Sequence, residues 1–146
     1  MSELVFKFEY SPADPDKDAI RDDFGRLTLS VTTEHFAGNG GFWVQWQDIV
    51  EFADRLTTFP IALESPISAQ WGFRYLEGDD LILGVRIAPA NSTGGLLVSV
   101  DIADDRRHGD RLKTSFLTNY ADVETFRRSL LNLMDRKIDQ AVLTGP

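Results

Sequence analysis

Residues 42–60 read FWVQWQDIVEFADRLTTFP, and this stretch predicts a strand followed directly by a helix. The segment Phe42–Trp46 places aromatic and aliphatic side chains at every second position, the period of a half-buried strand. Asp48 and Glu51 then form a capping-box pattern, which predicts a helix over Asp48–Phe59 that ends at Pro60. One apolar stripe follows at helical spacing: Ile49, Phe52, Ala53, Leu56 and Phe59.

The same helical pattern returns near the end of the chain. Asp122 is followed by apolar residues at offsets of 1, 4, 8 and 11, and the same offsets separate Asp48 from Ile49, Phe52, Leu56 and Phe59. A second helix is therefore predicted over Asp122–Ile138. Because a glycine-led strand and a hairpin precede both helices, we interpret residues 1–60 and 69–142 as repeats. The alternative is chance, since capped amphipathic helices share this pattern.

Alternating apolar residues outside the helices predict the remaining strands. We interpret Gly38–Gly41 as a turn between two of them. The predicted order is β-β-β-α-β-β-β-β-α, in one α+β domain over residues 1–146. Short connections favour a single antiparallel sheet of six to seven strands, with both helices on one face. The strand segments are 4–10, 26–33, 42–46, 70–76, 81–87, 96–102 and 112–119.

Composition narrows the classes of function. The 146 residues carry a formal net charge of −8 and no cysteine, so disulfides and thiolate chemistry are excluded. A negative chain repels nucleic-acid phosphates and anionic membranes, and it admits a basic partner. The first ten residues lack a signal-peptide pattern and no apolar run is long enough to cross a bilayer, so a cytoplasmic location is expected.

The sheet face turned away from the helices is the candidate interaction surface. Its outward register carries more apolar residues than a solvated sheet face needs, together with isolated cations. Trp43 faces away from the core register and is a candidate anchor. The predicted interface residues are Trp43, Arg74, Arg86, Leu97 and Leu117, and Ile82, Asp101 and Lys113 share this register.

Metal and cofactor sites are not predicted. Asp14, Asp16 and Asp18 have the spacing that opens a calcium loop, but Ala19 and Gly25 replace the glycine and glutamate that the loop requires. His35 and His108 fall in hairpin loops with no third ligand at metal-like spacing. We interpret these residues as solvated loop side chains.

No catalytic motif occurs in the chain: it has no nucleophile elbow and no phosphate-binding glycine loop. Trp46 and Trp71 lie on inward registers and are predicted to be core residues. The alternative is that they line a small-molecule or active-site pocket between sheet and helices, together with Tyr75.

The chain resembles small bacterial α+β proteins at residues 43–60, at Thr93–Val100 and at Tyr120–Leu130. Some proteins of such groups are similar to immunity proteins of bacterial toxin systems. The resemblance rests on structural motifs and implies no functional residue. The favoured function is a non-enzymatic protein-interaction domain that binds another protein or a second copy, and an immunity-type role against a basic toxin is one form of it.

Overall fold

The computed structural model describes residues 1–10 and 23–146, and the described residues form eight strands and two α-helices. The first nine elements follow in the order that the sequence predicts, and a short strand after the second helix was missed. The elements are β1 (Ser2–Tyr10), β2 (Phe24–Thr32), β3 (Ala37–Gln45), α1 (Trp46–Arg55), β4 (Ile67–Gly72), β5 (Leu81–Pro89), β6 (Gly95–Ala103), β7 (Arg111–Asn119), α2 (Tyr120–Met134) and β8 (Ala141–Gly145).

The strands form two antiparallel sheets of four strands each. The first sheet has the order β3-β2-β1-β8, and the second has the order β4-β5-β6-β7. The prediction of a single sheet of six to seven strands is therefore wrong. Alternation identifies a strand but does not say which strand it pairs with, and here β4 pairs with β5 while β8 returns to β1.

The interpretation of the glycine run as a turn is also wrong. Gly38–Gly41 lies inside β3, not in a turn, and the chain reverses at residues 33–36, where the Thr33 amide donates to the Phe36 carbonyl. A Cβ atom on Gly38 would lie 2.7 Å from Leu112 Cδ2, and one on Gly40 would lie 2.6 Å from Ile102 Cγ2. The glycines are needed because β3 packs closely against the second sheet.

Both helices and both sheets meet at Phe6, which is fully buried in β1. Its ring lies 6.0 Å from Phe52 of α1, 5.4 Å from Phe126 of α2 and 6.4 Å from Trp71 of β4, between ring centroids. Burying one such side chain contributes about 1.5–3 kcal/mol. The core is therefore shared by all the layers.

Several boundaries and burials differ from the sequence predictions. α1 begins at Trp46 with Gln45 as its N-cap, so Asp48 lies in the first turn and is not the cap. Trp46 is 36% exposed instead of buried, and Ile82, expected on the outer face, is fully buried. Ile82 is buried because the pairing of β4 with β5 shifts at this point: Trp71 pairs with Leu83, but Gly72 pairs with Leu81. The shift interrupts the alternation of inward and outward side chains in β5.

The two sheets have corresponding strand orders. If β5, β6 and β7 are matched with β1, β2 and β3, then β8 matches β4. If the halves are taken as Ser2–Gly72 and Leu81–Gly145, each half ends in a strand that completes the other half's sheet. Duplication of the sequence stays a prediction.

Candidate functional site

The outward face of the second sheet carries a row of four polar side chains in register. Ser68 of β4 lies opposite Arg86 of β5, Arg86 opposite Ser99 of β6, and Ser99 opposite Ser115 of β7. Successive side chains of a strand point to opposite faces, and the sequence neighbours of Ser68, Arg86 and Ser99 are buried in the core. We call Ser68, Arg86, Ser99 and Ser115 the serine–arginine row.

A second row lies beside it and gives the face its shape. It contains Gly84 of β5, Asp101 of β6 and Lys113 of β7, again in register. Gly84 has no side chain, and the face forms an open cavity of about 500 Å³ at this place. The concavity therefore has a backbone floor between charged walls.

A third row is apolar. Ala88, Leu97 and Leu117 pair across β5, β6 and β7 on the same side of the sheet. Leu117 is 53% exposed and Leu97 is half-buried. An exposed leucine beside an arginine and serines gives this face both an apolar and a polar contact surface.

The charges of this face differ in sign from the charge of the whole chain. Arg111 donates to Asp101 at 2.9 Å, and Lys113 Nζ lies 4.0 Å from the same carboxylate. In the part of the chain that the structure describes, Arg86 makes no ion pair. The face thus carries three cations and one anion, and the Arg86 guanidinium is available to an acidic group.

The structure brings together three of the five predicted interface residues. Arg86, Leu97 and Leu117 lie on the open face of the second sheet. Trp43 is 51% exposed but belongs to β3 of the first sheet, and Arg74 lies in the β4–β5 connection with its guanidinium 5.1 Å from the Tyr75 ring centre. Trp43 is off this face because its strand belongs to the first sheet, and Arg74 is off it because β4 ends at Gly72.

Sequence reasoning missed the serines. Ser68, Ser99 and Ser115 carry no motif, and only the cross-strand register shows that they flank Arg86. The sequence did contain one signal, because Ser99 lies between Val98 and Val100 and is therefore on the polar side of the alternating strand β6.

The candidate metal ligands do not form a site where they are described. Asp14, Asp16 and Asp18 lie outside the described residues. His35 is exposed at the β2–β3 turn, and His108 stacks on Phe73 with 4.8 Å between ring centres. Within residues 1–10 and 23–146, no group of three or more ligand-type side chains is placed to hold a metal ion.

The aromatic residues proposed for an internal pocket lie apart. Trp46 borders a surface cavity with Tyr10 and Arg136, whereas Trp71 is buried against Phe6. Tyr75 is exposed in a loop.

Burial raises the pKa of Asp48 in the first turn of α1, the nearby charge of Glu51 raises it further, and the polar Trp71 side chain of β4 opposes both effects.

Comparison with known proteins identifies no family. No family model and no curated protein matches the chain. Among solved structures, the chain is similar to the plant transcriptional regulator PBF-2, with a TM-score of 0.43 and 9% identity over 93% of this chain and 78% of that one. Within the described residues, neither helix has the length and apolarity needed to cross a membrane.

Proposed function

We propose that this chain is a non-enzymatic protein-interaction domain that binds a partner protein through the open face of the second sheet. The observation that supports it is the serine–arginine row, in which Arg86 has serine neighbours but no ion-pair partner among the described residues, beside the exposed Leu117. Within residues 1–10 and 23–146, the elements that pack on the core leave this face uncovered.

The chemistry of the face indicates what the partner presents. Arginine and large apolar residues are the usual anchors of protein interfaces, and serine hydroxyls accept or donate hydrogen bonds around them. A carboxylate of the partner pairs with Arg86, and a second one lies within reach of Lys113. An apolar side chain packs on Leu97 and Leu117.

The net charge of the chain predicts a basic partner, whereas this face fits an acidic one. The face has three cations, Arg86, Arg111 and Lys113, and one anion, Asp101. Local charge decides how an interface is complemented, while net charge influences the encounter rate. An immunity-type role is one form of the proposal and requires an acidic patch on the neutralised protein.

The test is affinity capture from cells that express the tagged protein. Arg86→Glu reverses the central charge and should abolish capture of the partner, and Leu117→Asp should weaken capture at least tenfold. Arg74→Glu is the matched control, because it changes an exposed arginine that lies off this face. If a captured protein is retained equally by all three variants, the open face is not the interface.

Self-association is tested separately by light scattering at micromolar to millimolar protein concentration. Should the partner be a second copy, the dimer dissociates in Arg86→Glu and persists in Arg74→Glu.

A further inference from the structure

The two sheets have four edge strands, and three of them carry features that discourage pairing with another chain. β8 has only five residues, β4 contains a register shift, and β7 carries Arg111 and Lys113. Short length, irregular pairing and charged side chains are the usual protections of a sheet edge. β3 has none of them, since its nine residues include no charged residue and no proline.

The register shows which backbone groups of β3 face outward. Thr33 N–H donates to Phe36 O at one end of the hairpin, and Trp46 N–H donates to Asp23 O at the other. Hydrogen-bonded and non-hydrogen-bonded pairs alternate between these ends. Asn39 and Gly41 fall at non-hydrogen-bonded positions opposite Ser30 and Thr28, so their N–H and C=O groups point away from β2.

A groove of about 510 Å³ lies beside this edge. One wall is Gly38–Gly41 together with Arg26 and Thr28 of the adjacent strand β2, and the other is made of the end of β6, the start of β7 and the loop between them. The ion pair between Arg26 and Asp105 joins the two walls. Without side chains, Gly38 and Gly40 pack against Leu112 and Ile102, and Gly41 lies against the Arg26 side chain. In the described part of the chain, no backbone hydrogen bond from another element reaches Asn39 or Gly41.

The second wall carries three carboxylates, Asp104, Asp105 and Asp110, beside one cation, Arg111, and we call it the acidic wall. Among the described residues, Asp105 is the one of the three carboxylates that is ion-paired, with Arg26 at 3.1 Å. The Asp104 carboxylate accepts the backbone N–H groups of Arg106 at 2.7 Å and Arg107 at 3.0 Å. These bonds, chiefly, lower the pKa of Asp104, so it is charged at neutral pH.

We propose that the free edge of β3 binds an extended segment of a partner protein by strand addition, with lysine or arginine side chains of that segment directed at Asp104 and Asp110. Main-chain pairing to Asn39 and Gly41 supplies affinity, and the acidic wall selects the charge. A basic segment of a partner protein complements the acidic wall, whereas β3 of a second copy contains no charged residue that could do so. This site is separate from the open face and does not depend on the function proposed for it.

The probe is a blocked pentapeptide, acetyl-Val-Lys-Val-Lys-Val-amide, titrated into the full-length protein and followed by amide NMR. Alternation places the lysines on one side of the added strand and the valines on the other. The amide signals of Asn39 and Gly41 should shift and their hydrogen exchange should slow. A glutamate version of the peptide should bind at least tenfold more weakly.

Two controls separate strand addition from charge attraction. A peptide N-methylated at the amides that would pair with β3 keeps its charge and should lose binding at least tenfold. On the protein side, Asn39→Pro removes an outward amide and should lose binding, while Asn39→Ala keeps that amide and should bind as wild type. The N-methylated peptide gives the same information if Asn39→Pro does not fold.

Charge selection is tested by Asp104→Asn together with Asp110→Asn, which should reduce the preference for the lysine peptide over the glutamate peptide at least tenfold. No shift at Asn39 or Gly41 at millimolar lysine peptide would overturn the proposal, and so would equal binding of the N-methylated peptide.

Discussion

Gly40 occupies a position where even a methyl group has no room. A Cβ atom there would lie 2.6 Å from Ile102 Cγ2 and 3.2 Å from the Ala103 carbonyl oxygen, and the second of these is backbone. Overpacking of a closely packed core costs about 1–3 kcal/mol. Gly40→Ala should lower the free energy of unfolding by that amount, measured by urea denaturation.

Gly109 provides the matched control for Gly40. A Cβ atom on Gly109 would have nothing within 4 Å. Gly109→Ala should therefore change the free energy of unfolding, measured by urea denaturation, by less than about 0.5 kcal/mol. A Gly40→Ala protein as stable as the Gly109→Ala protein would show that the two sheets do not pack as closely as described.

The ionisation of Glu124 makes the stability of the fold depend on pH. Hydrogen bonds from Arg127 at 2.7 and 2.8 Å, chiefly, and a bond from Arg128 at 3.2 Å lower the pKa of Glu124 to about 2. Because the folded-state pKa is lower than the ordinary value of 4.5, this stabilisation is present above pH of about 4.5 and is lost as the pH falls towards 2.

Melting temperatures of wild type and Glu124→Gln between pH 7 and pH 2 test this dependence. The wild type should melt higher at pH 7, and the difference should disappear near pH 2. Glu64→Gln, an exposed loop substitution, should show no such difference at any pH. A Glu124→Gln difference that stays constant down to pH 2 would contradict the assignment.

At the scale of elements, the two helices begin differently. The Asn119 side chain caps α2 by accepting the Asp122 backbone N–H at 2.9 Å, whereas Gln45, the N-cap of α1, makes no side-chain capping bond. Loss of a capping side chain costs about 0.5–2 kcal/mol. Asn119→Ala should therefore destabilise the protein by about 1 kcal/mol in thermal or urea denaturation.

Gln45→Ala is the control for the cap, because it removes a side chain at the equivalent position without removing a hydrogen bond. It should change stability by less than about 0.5 kcal/mol. Equal losses for Asn119→Ala and Gln45→Ala would indicate that the cap of α2 contributes nothing.

The helix ends show a limit of periodicity. The apolar stripes predicted helices to Phe59 and Ile138, but the helices end at Arg55 and Met134. Thr57 and Thr58 hydroxyls bond back to the carbonyls of Asp54 and Arg55 and end α1, and Arg136 has a φ of 61° just after α2. Side-chain bonds and left-handed residues stop a helix without changing its apolar pattern.

The candidate site could be predicted only in part. Alternation within one strand places a residue on a face, and it placed Arg86, Leu97 and Leu117 together. Which strands share a sheet depends on pairing between distant segments, such as β8 with β1, and period-two patterns carry no information about this. Trp43 was therefore assigned to a surface that lies in another sheet.

At the scale of the whole molecule, the two halves are joined through their last strands. β4 follows α1 but pairs with β5, and β8 follows α2 but pairs with β1. β7 and β8 also touch directly, because Thr118 Oγ1 donates to the Thr144 carbonyl at 2.8 Å. Neither sheet is complete without a strand from the other half of the chain.

This exchange predicts that the two sheets unfold in one cooperative transition. Leu143 of β8 is fully buried, and truncation of a buried leucine to alanine costs about 2–5 kcal/mol. Leu143→Ala should lower hydrogen-exchange protection equally for slow amides of β1 and β2 in the first sheet and of β5 and β6 in the second, because both require the same global unfolding. Val142→Ala, on the half-buried side of the same strand, should lower protection less. If amides of β5 and β6 kept wild-type protection in Leu143→Ala, the sheets would be independent folding units, and the exchanged strands would join two stable halves instead of building one core.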